Sequence, residues 1–274
     1  MLEKQTWRII HHAPQEGAWN MAVDEAILES VSEKSQPPTL RLYDWQPYCL
    51  SIGQAQKAGD VNLMALHQYG WDLVRRPTGG RAILHADELT YSVTAPIDNP
   101  ILRGNVIESY RRISMALIEA LGLMGLCTDS KPKKAEEIHL SKDPVCFQFP
   151  SDYEITFENK KIVGSAQARK KGGILQHGSI PLYGDITRIN SVLNYSGEVE
   201  RRSAADQLLN HATTLENSLG KTVTWSQMAD AMEAGFTSAL NVELIPGNLS
   251  TLELKTAAII NNEKYNFQNW TFKY

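Results

Sequence analysis

Strand-length apolar runs alternate with helix-length apolar stripes along this chain, and no Pro/Gly/Ser-rich linker or internal repeat divides them. That alternation predicts one α+β (mixed α/β) domain. Strands are expected at 6–11, 39–44, 48–53, 71–75, 81–94, 152–158, 161–168 and 174–182. A helix starts at Trp19, with Trp19, Ala22, Val23, Ala26 and Ile27 on one face and Glu25, Glu29 and Glu33 on the other. Gln36-Pro37-Pro38 ends it. A second helix is expected over 60–69. A third spans 105–124, where Val106, Tyr110, Ile113, Leu117, Leu121 and Met124 share a stripe. The lysine-rich, apolar-poor stretch 128–143 reads as a mobile loop. The last third reads as mostly helical. Thr224-Trp225-Ser226-Gln227 has capping-box spacing, with Val223 placed to staple to Met228. Trp225, Met228, Ala229, Met232, Phe236 and Leu240 then form an apolar face. Residues 1–240 are expected to be the main domain, and 241–274 a short C-terminal extension packed on it.

Composition narrows the function classes. At about 150 residues per domain, 274 residues allow one to two domains. Hydrophobic residues at 42% and charged residues at 21% argue against disorder. A net charge of −4 disfavours a dedicated nucleic-acid or membrane-surface binder. No apolar run approaches the roughly 18 residues of a membrane span. The opening Met1 to Thr6 has no apolar stretch of the secretory kind. Three cysteines, Cys49, Cys127 and Cys146, with no Cys-x-x-Cys, fit free thiols in a reducing compartment and argue against structural zinc. The expectation is a soluble cytoplasmic protein without a metal.

Several catalytic motifs are absent. Gly220-Lys221-Thr222 lacks the first glycine of a phosphate loop, no Gly-x-Gly-x-x-Gly occurs, and Ser165 and Ser179 lack the nucleophile-elbow frame. His11 and His12 point to opposite faces of a strand and cannot share a metal. Four stretches remain. Arg75-Arg76-Pro77-Thr78-Gly79-Gly80-Arg81-Ala82-Ile83-Leu84-His85 is either a hairpin turn with surface arginines or a loop whose N–H groups hold an anion or acyl carbonyl. Lys161 to Gln167 places Gly164, Ser165 and Ala166 in a strand, as where something approaches its face; Lys161 is an edge lysine or a functional cation. His177, in Gln176-His177-Gly178-Ser179-Ile180, is a satisfied core residue or a site residue. Cys49 and Cys127 look structural, whereas Cys146 sits in the irregular, Pro-bounded Val145-Cys146-Phe147-Gln148-Phe149-Pro150. A lysine ammonium beside it would lower its thiol pKa.

Taken together, Asn20 to Ala26, Arg75 to His85, Glu88-Leu89-Thr90-Tyr91-Ser92, Lys161 to Gln167 and Leu175 to Ile180 resemble, in order, the lipoate and octanoate protein-attachment enzymes of the biotin/lipoate ligase superfamily. The resemblance runs from about residue 17 to 240. It implies a biotinyl/lipoyl-ligase-like catalytic domain with a large mixed sheet packed against helices. Cys146-Phe147-Gln148-Phe149-Pro150-Ser151, fifteen positions before Lys161, is similar to the Cys-Phe-x-x-Pro-Ser segment of the cysteine-dependent octanoyltransferase branch, the LipM type. Arg81 stands where many ligases have a third glycine, which also leans toward the transferase.

The resemblance implies an acyltransferase of lipoate biosynthesis and protein lipoylation that needs no cofactor. Octanoyl would pass from octanoyl-acyl carrier protein to a Cys146 thioester. From there it would pass to the lysine of a lipoyl domain, such as glycine-cleavage H protein or a dehydrogenase E2. Lys161 would lower the thiol pKa and help hold the oxyanion. Arg75, the backbone of Gly79, Gly80, Arg81, Ala82 and Ile83, and His85 would line the acyl and carrier side, with Ser165 and His177 at the same cleft. Three alternatives stand beside this reading. They are an ATP- and Mg-dependent lipoate–protein ligase, an amidotransferase between lipoyl domains, and a catalytically silent lipoyl-domain binder. The basic stretches Lys131-Pro132-Lys133-Lys134 and Arg169-Lys170-Lys171 are candidates for steering an acidic carrier or are simply solvated.

Overall fold

The computed structural model describes residues 4–131 and 154–274. Its strands are β1 (Gln5–His11), β2 (Thr39–Tyr43), β3 (Cys49–Ile52), β4 (Asp72–Arg75), β5 (Ile83–His85), β6 (Glu88–Pro96), β7 (Asp129–Lys131), β8 (Glu154–Phe157), β9 (Lys160–Lys170), β10 (Gly173–Pro181) and β11 (Val242–Pro246). Eight of them form one mixed sheet in the order β11-β1-β2-β6-β10-β9-β8-β7, parallel where β1 meets β11 and β2 and antiparallel elsewhere. A separate small sheet runs β4-β3-β5. The helices are α1 (Gly17–Ser32), α2 (Leu63–Tyr69), α3 (Val106–Leu123), α4 (Glu198–His211), α5 (Leu215–Leu219), α6 (Trp225–Leu240), α7 (Thr251–Ile260) and α8 (Gln268–Thr271).

The two faces of the sheet differ because its strands alternate. On β6, Leu89, Tyr91, Val93 and Ala95 join one core with Leu40 and Leu42 of β2 and the buried stripes of α3 and α6. Helix α3 starts at an Asn105–Glu108 capping box and α6 at the expected Thr224–Gln227 box. The two helices touch backbone to backbone, since a Cβ on Gly235 would lie 2.6 Å from Ala120 N. The intervening β6 positions, Glu88, Thr90, Ser92 and Thr94, face the other way, as do Arg8, Arg41, His177 and Ser179 on neighbouring strands; all are buried. This face is polar and is covered by α1. Buried polar groups need partners, and the polar layer supplies the machinery described below.

Four sequence expectations change. Helix α1 is not half-exposed: Glu25 is 6% exposed and takes bonds from Lys264 Nζ at 2.5 Å and Tyr265 Oη at 2.8 Å. The C-terminal segment covers that outer face. The last third is not only helical, because β11 extends the main sheet beside β1. Val242 and, less deeply, Leu244 face the core while Glu243 and Ile245 are exposed, an alternation too short to be read from the sequence. The Gly79-Gly80 segment is not a hairpin turn. Strands β4 and β5 do not pair, because β3 lies between them, parallel to β4 and antiparallel to β5. The stretch expected as a loop from 128 begins with β7, paired to β8; its remainder lies outside the described residues. No helix among the described residues is long and apolar enough to cross a membrane.

Candidate active site

A narrow pocket opens where the small sheet and the 76–82 segment close over the polar face of β9 and β10. Met21 of α1, Trp45, Ile83 and the small strand residues Gly164 and Ala166 give it apolar walls. Ser51, Arg76, His85, Thr90 and His177 line it with polar groups. The small residues of β9 therefore do what their position suggests: they leave room above the strand.

Two carboxylate–imidazole–hydroxyl relays hold this pocket. In the first, His177 Nδ1 lies 3.3 Å from Asp24 Oδ2, and its Nε2 lies 2.6 Å from Thr78 Oγ1. Asp24 also accepts from Arg41 at 2.7 Å, Tyr43 at 3.0 Å and Ser92 at 2.8 Å, while Arg41 donates to Asn20 Oδ1 at 2.6 Å. Burial pushes the Asp24 carboxyl up, but the Arg41 guanidinium and the His177 bond outweigh it and hold it below the usual range. Burial lowers the His177 pKa, and the Asp24 bond offsets only part of that. His177 is thus a neutral strut between helix α1 and the glycine-rich segment.

In the second relay, His85 Nδ1 lies 2.7 Å from Glu88 Oε1 and Nε2 2.8 Å from Ser51 Oγ, with the ring stacked on Trp45 at 4.0 Å. Glu88 also accepts from Thr90 and Ser179. Arg76 donates to Ser51 O and Oγ at 3.0 Å, and to the carbonyls of Gly79 at 3.0 Å and Arg81 at 2.6 Å. The glycine segment is thereby pinned from beneath. It is also pressed against the neighbouring loop: a Cβ on Gly53 would sit 1.8 Å from Gly80 O, so only glycine fits at 53. Gly80 itself has φ of 92°, where side chains are strained.

Of the residues singled out in the sequence, Ile83, His85 and His177 line this pocket; the Gly79-Gly80-Arg81 backbone is tied to it through Arg76, and Ala82 is buried in a core with Leu50 and Ile52. Ser165 borders the pocket, but its hydroxyl is tied to Tyr91 Oη at 2.7 Å on the α3 side. Arg75 points away: it is fully buried and donates to the carbonyls of Gly53, Gln54, Gln56, Trp270 and Thr271, clasping the C-terminal segment. Lys161 is not an exposed edge lysine. It is 4% exposed, with Nζ 2.8 Å from Glu154 Oε1 on the adjacent strand. Cys146 lies outside the described residues. Cys49 is buried, and that burial pushes its thiol pKa up. Cys127 is exposed, contrary to a structural role. Arg169 is spent on the carbonyls of Gly104 and Asn105 at the start of α3, and Lys171 on Glu29. The stretch 132–134 lies outside the described residues.

Asp24, Arg41, Ser51 and Arg76 hold this site, and Glu154 holds Lys161, without having been marked as site residues from sequence. Local pattern gave little signal: Arg41 alternates with Leu40 and Leu42 and so reads as outward-facing, and Asp24 lies in a helix that already carries Asn20, Glu25 and Glu29. No cluster of three or more metal-ligating His, Cys, Asp or Glu occurs among the described residues.

Known proteins are similar to this chain over nearly its whole length. An octanoyltransferase LipM of Kyrpidia tusciae is 41% identical over 98% of this chain and 99% of its own length. The octanoyltransferase LipM of Bacillus subtilis (strain 168) is 38% identical over 99% and 100%. Among solved structures, the bi-partite lipoate protein ligase of Thermoplasma acidophilum superposes with a TM-score of 0.82 at 23% identity, covering 98% of this chain and 96% of that one. A lipoate-protein ligase A bound with ATP superposes at 0.78, also with 23% identity, covering 98% and 99%. These two establish the shared fold. The lipoyl protein ligase A/B catalytic domain matches residues 16–237, a span holding both relays, the glycine segment and Lys161, and the chain belongs to that family.

Proposed function

We propose that this chain is an octanoyltransferase of lipoate biosynthesis, an acyltransferase that carries octanoyl on Cys146 and delivers it to the lysine of a lipoyl domain. The observation that carries this reading is its relatedness to octanoyltransferases along almost the whole length of both chains. Thioester-to-thioester exchange needs no activation, so the reaction runs without ATP. The donor is octanoyl-acyl carrier protein. The acceptors are lipoyl domains such as the glycine-cleavage H protein or a dehydrogenase E2, and the setting is the cytoplasm.

Cys146 attacks the donor carbonyl, and the acyl chain sits against Met21, Trp45 and the bare strand at Gly164 and Ala166. Lys161 lowers the thiol pKa by its charge and helps hold the oxyanion. Glu154 fixes its ammonium. The backbone of Gly79 to Ile83 lines the reacting end, with His85, His177 and Ser165 shaping the pocket. Arg75 acts from behind by anchoring the neighbouring loop. The acceptor lysine attacks as the neutral amine: its nitrogen bonds to the carbonyl carbon as the bond to Cys146 sulfur breaks, and the proton it loses passes by way of Lys161, which hands its own proton to the departing thiolate.

The test is the intact mass of the protein after incubation with octanoyl-acyl carrier protein and no ATP. The expected result is one octanoyl adduct that hydroxylamine removes and Cys146→Ser abolishes. Acylation of a lipoyl domain only when ATP is added, undiminished by Cys146→Ser, would make the chain a ligase.

A further inference from the structure

A second, narrow pocket lies directly beyond the first and shares two walls with it, Ile83 and Ser179. Its far side is built by the 3-10 segment Ile186–Val192 and the end of α4. Thr213 closes it, and the Thr213 N–H donates to Lys161 O at 3.1 Å, so one wall is bonded directly to the strand that carries Lys161. No step of the acyl-chain binding described above uses this space.

The charges around it limit what it takes. Glu88 faces it from β6, with its oxygens bonded to His85, Thr90 and Ser179. Asp185 borders it on the loop side. The one cation among the described lining residues is Arg188, whose guanidinium is held by Asp87 Oδ2 at 2.5 Å and by the Asp185 carbonyl at 2.8 Å. A polyphosphate placed there would meet carboxylates and an arginine already paired. An uncharged chain meets Ile186, Ile189 and Leu208, with hydroxyls from Thr213 and Tyr183 for its amides.

An acyl thioester has two arms that diverge from one carbonyl, and two pockets that meet at Ile83 and Ser179 match that shape. We infer that the second pocket receives the uncharged, amide-bearing thiol arm of the acyl donor, while the first receives the acyl chain. The inference rests on the octanoyltransferase reading. The step it serves is balanced: the enzyme sulfur bonds to the carbonyl carbon, the bond from that carbon to the arm's sulfur breaks, and the arm leaves as a thiol carrying the proton lost by the enzyme thiol.

The test compares two small donors on the full chain without ATP: octanoyl-pantetheine, which has the long arm, and octanoyl-N-acetylcysteamine, which has only its reactive end. Ile186→Trp fills space in the second pocket from the 3-10 segment that builds its far side. The wild type is expected to form the acyl-enzyme faster from the long-armed donor. The variant should lose roughly tenfold in kcat/KM on that donor and little on the short one. Equal rates on both donors, or a loss that falls equally on both, overturns the inference while leaving the transferase intact. A wild-type chain that forms no adduct from either donor overturns both.

Discussion

Two buried arginine–carboxylate pairs face the same side of the sheet, and they serve different ends. Arg41 on β2 meets Asp24 at 2.7 Å with both side chains fully buried. Arg8 on β1 meets Glu253 of α7 at 2.6 Å, nearly as deep. Each carboxylate takes further donors: Tyr43 and Ser92 on Asp24, Ser30 on Glu253. The chemistry is alike, but the connections are not. Asp24 is bonded to His177 and through it to Thr78 on the glycine segment. Glu253 ends in the capping box of its own helix. One pair orients a pocket; the other fastens an edge. Buried charge is costly in either place, so depth alone does not mark a functional residue.

The largest effect should come from breaking that symmetry at its roots. Asp24→Ala and Glu253→Ala each strand a buried guanidinium, and each should cost about 3–5 kcal/mol in chemical denaturation. Their effects on acyl transfer should then part. In samples shown to be folded at low temperature, Asp24→Ala is expected to lose roughly a hundredfold in rate, because His177 and Thr78 lose their anchor. Glu253→Ala should retain the wild-type rate. If the milder Asp24→Asn, which keeps the shape, also leaves transfer untouched, the relay is only a clamp and the two pairs are equivalent.

A smaller effect separates the regions by pH. The Arg41 region contains two histidines whose neutral forms are favoured by folding. Burial and the neighbouring Arg41 lower the His12 pKa to about 4, and burial lowers that of His177. A histidine held below its unfolded value of about 6.5 stabilises the fold above that value, and the contribution is lost as pH falls toward the folded pKa. Stability should therefore decline between pH 6.5 and about 4. His12→Gln, which keeps an acceptor for Arg41 Nε, should flatten that decline. An unchanged slope would remove His12 from the account.

The contrast also shows what the sequence could reveal. Local patterns read well. The α3 stripe and the Thr224–Gln227 box each depend on residues a few positions apart, whereas the strand expected over 81–94 is two, β5 in the small sheet and β6 in the large one. The glycine segment, Lys161 and His177 were visible because their residue types are unusual in strands and turns. What stayed hidden depends on distant chain. Strand β3 inserts between β4 and β5, so Gly79-Gly80 spans a crossover instead of a turn. Glu25 looks solvent-facing until Lys264 and Tyr265 arrive from 240 residues away. Arg75 and Arg76 are adjacent and chemically identical, yet one clasps the C-terminal segment and the other the pocket. Strand alternation alone does not say which face the pocket occupies.

The smallest effect tests the edge region by itself. Ser250 caps α7 by accepting from Glu253 N at 3.1 Å, while Glu253 returns a bond to the Ser250 N–H at 2.7 Å. Ser250→Ala removes the first of these and leaves Arg8 and Ser30 on the carboxylate. The expected loss is about 1 kcal/mol in denaturant titration. Acyl transfer should not change, because nothing from Ser250 runs toward the pocket. The value of this variant lies in its modesty: it loosens α7 without stranding a charge, so no general unfolding obscures the rate. A fall in transfer accompanying that small loss would mean that the covering of α1 by α7 bears on Met21 and the pocket. The two arginine–carboxylate pairs would then act through one helix instead of independently.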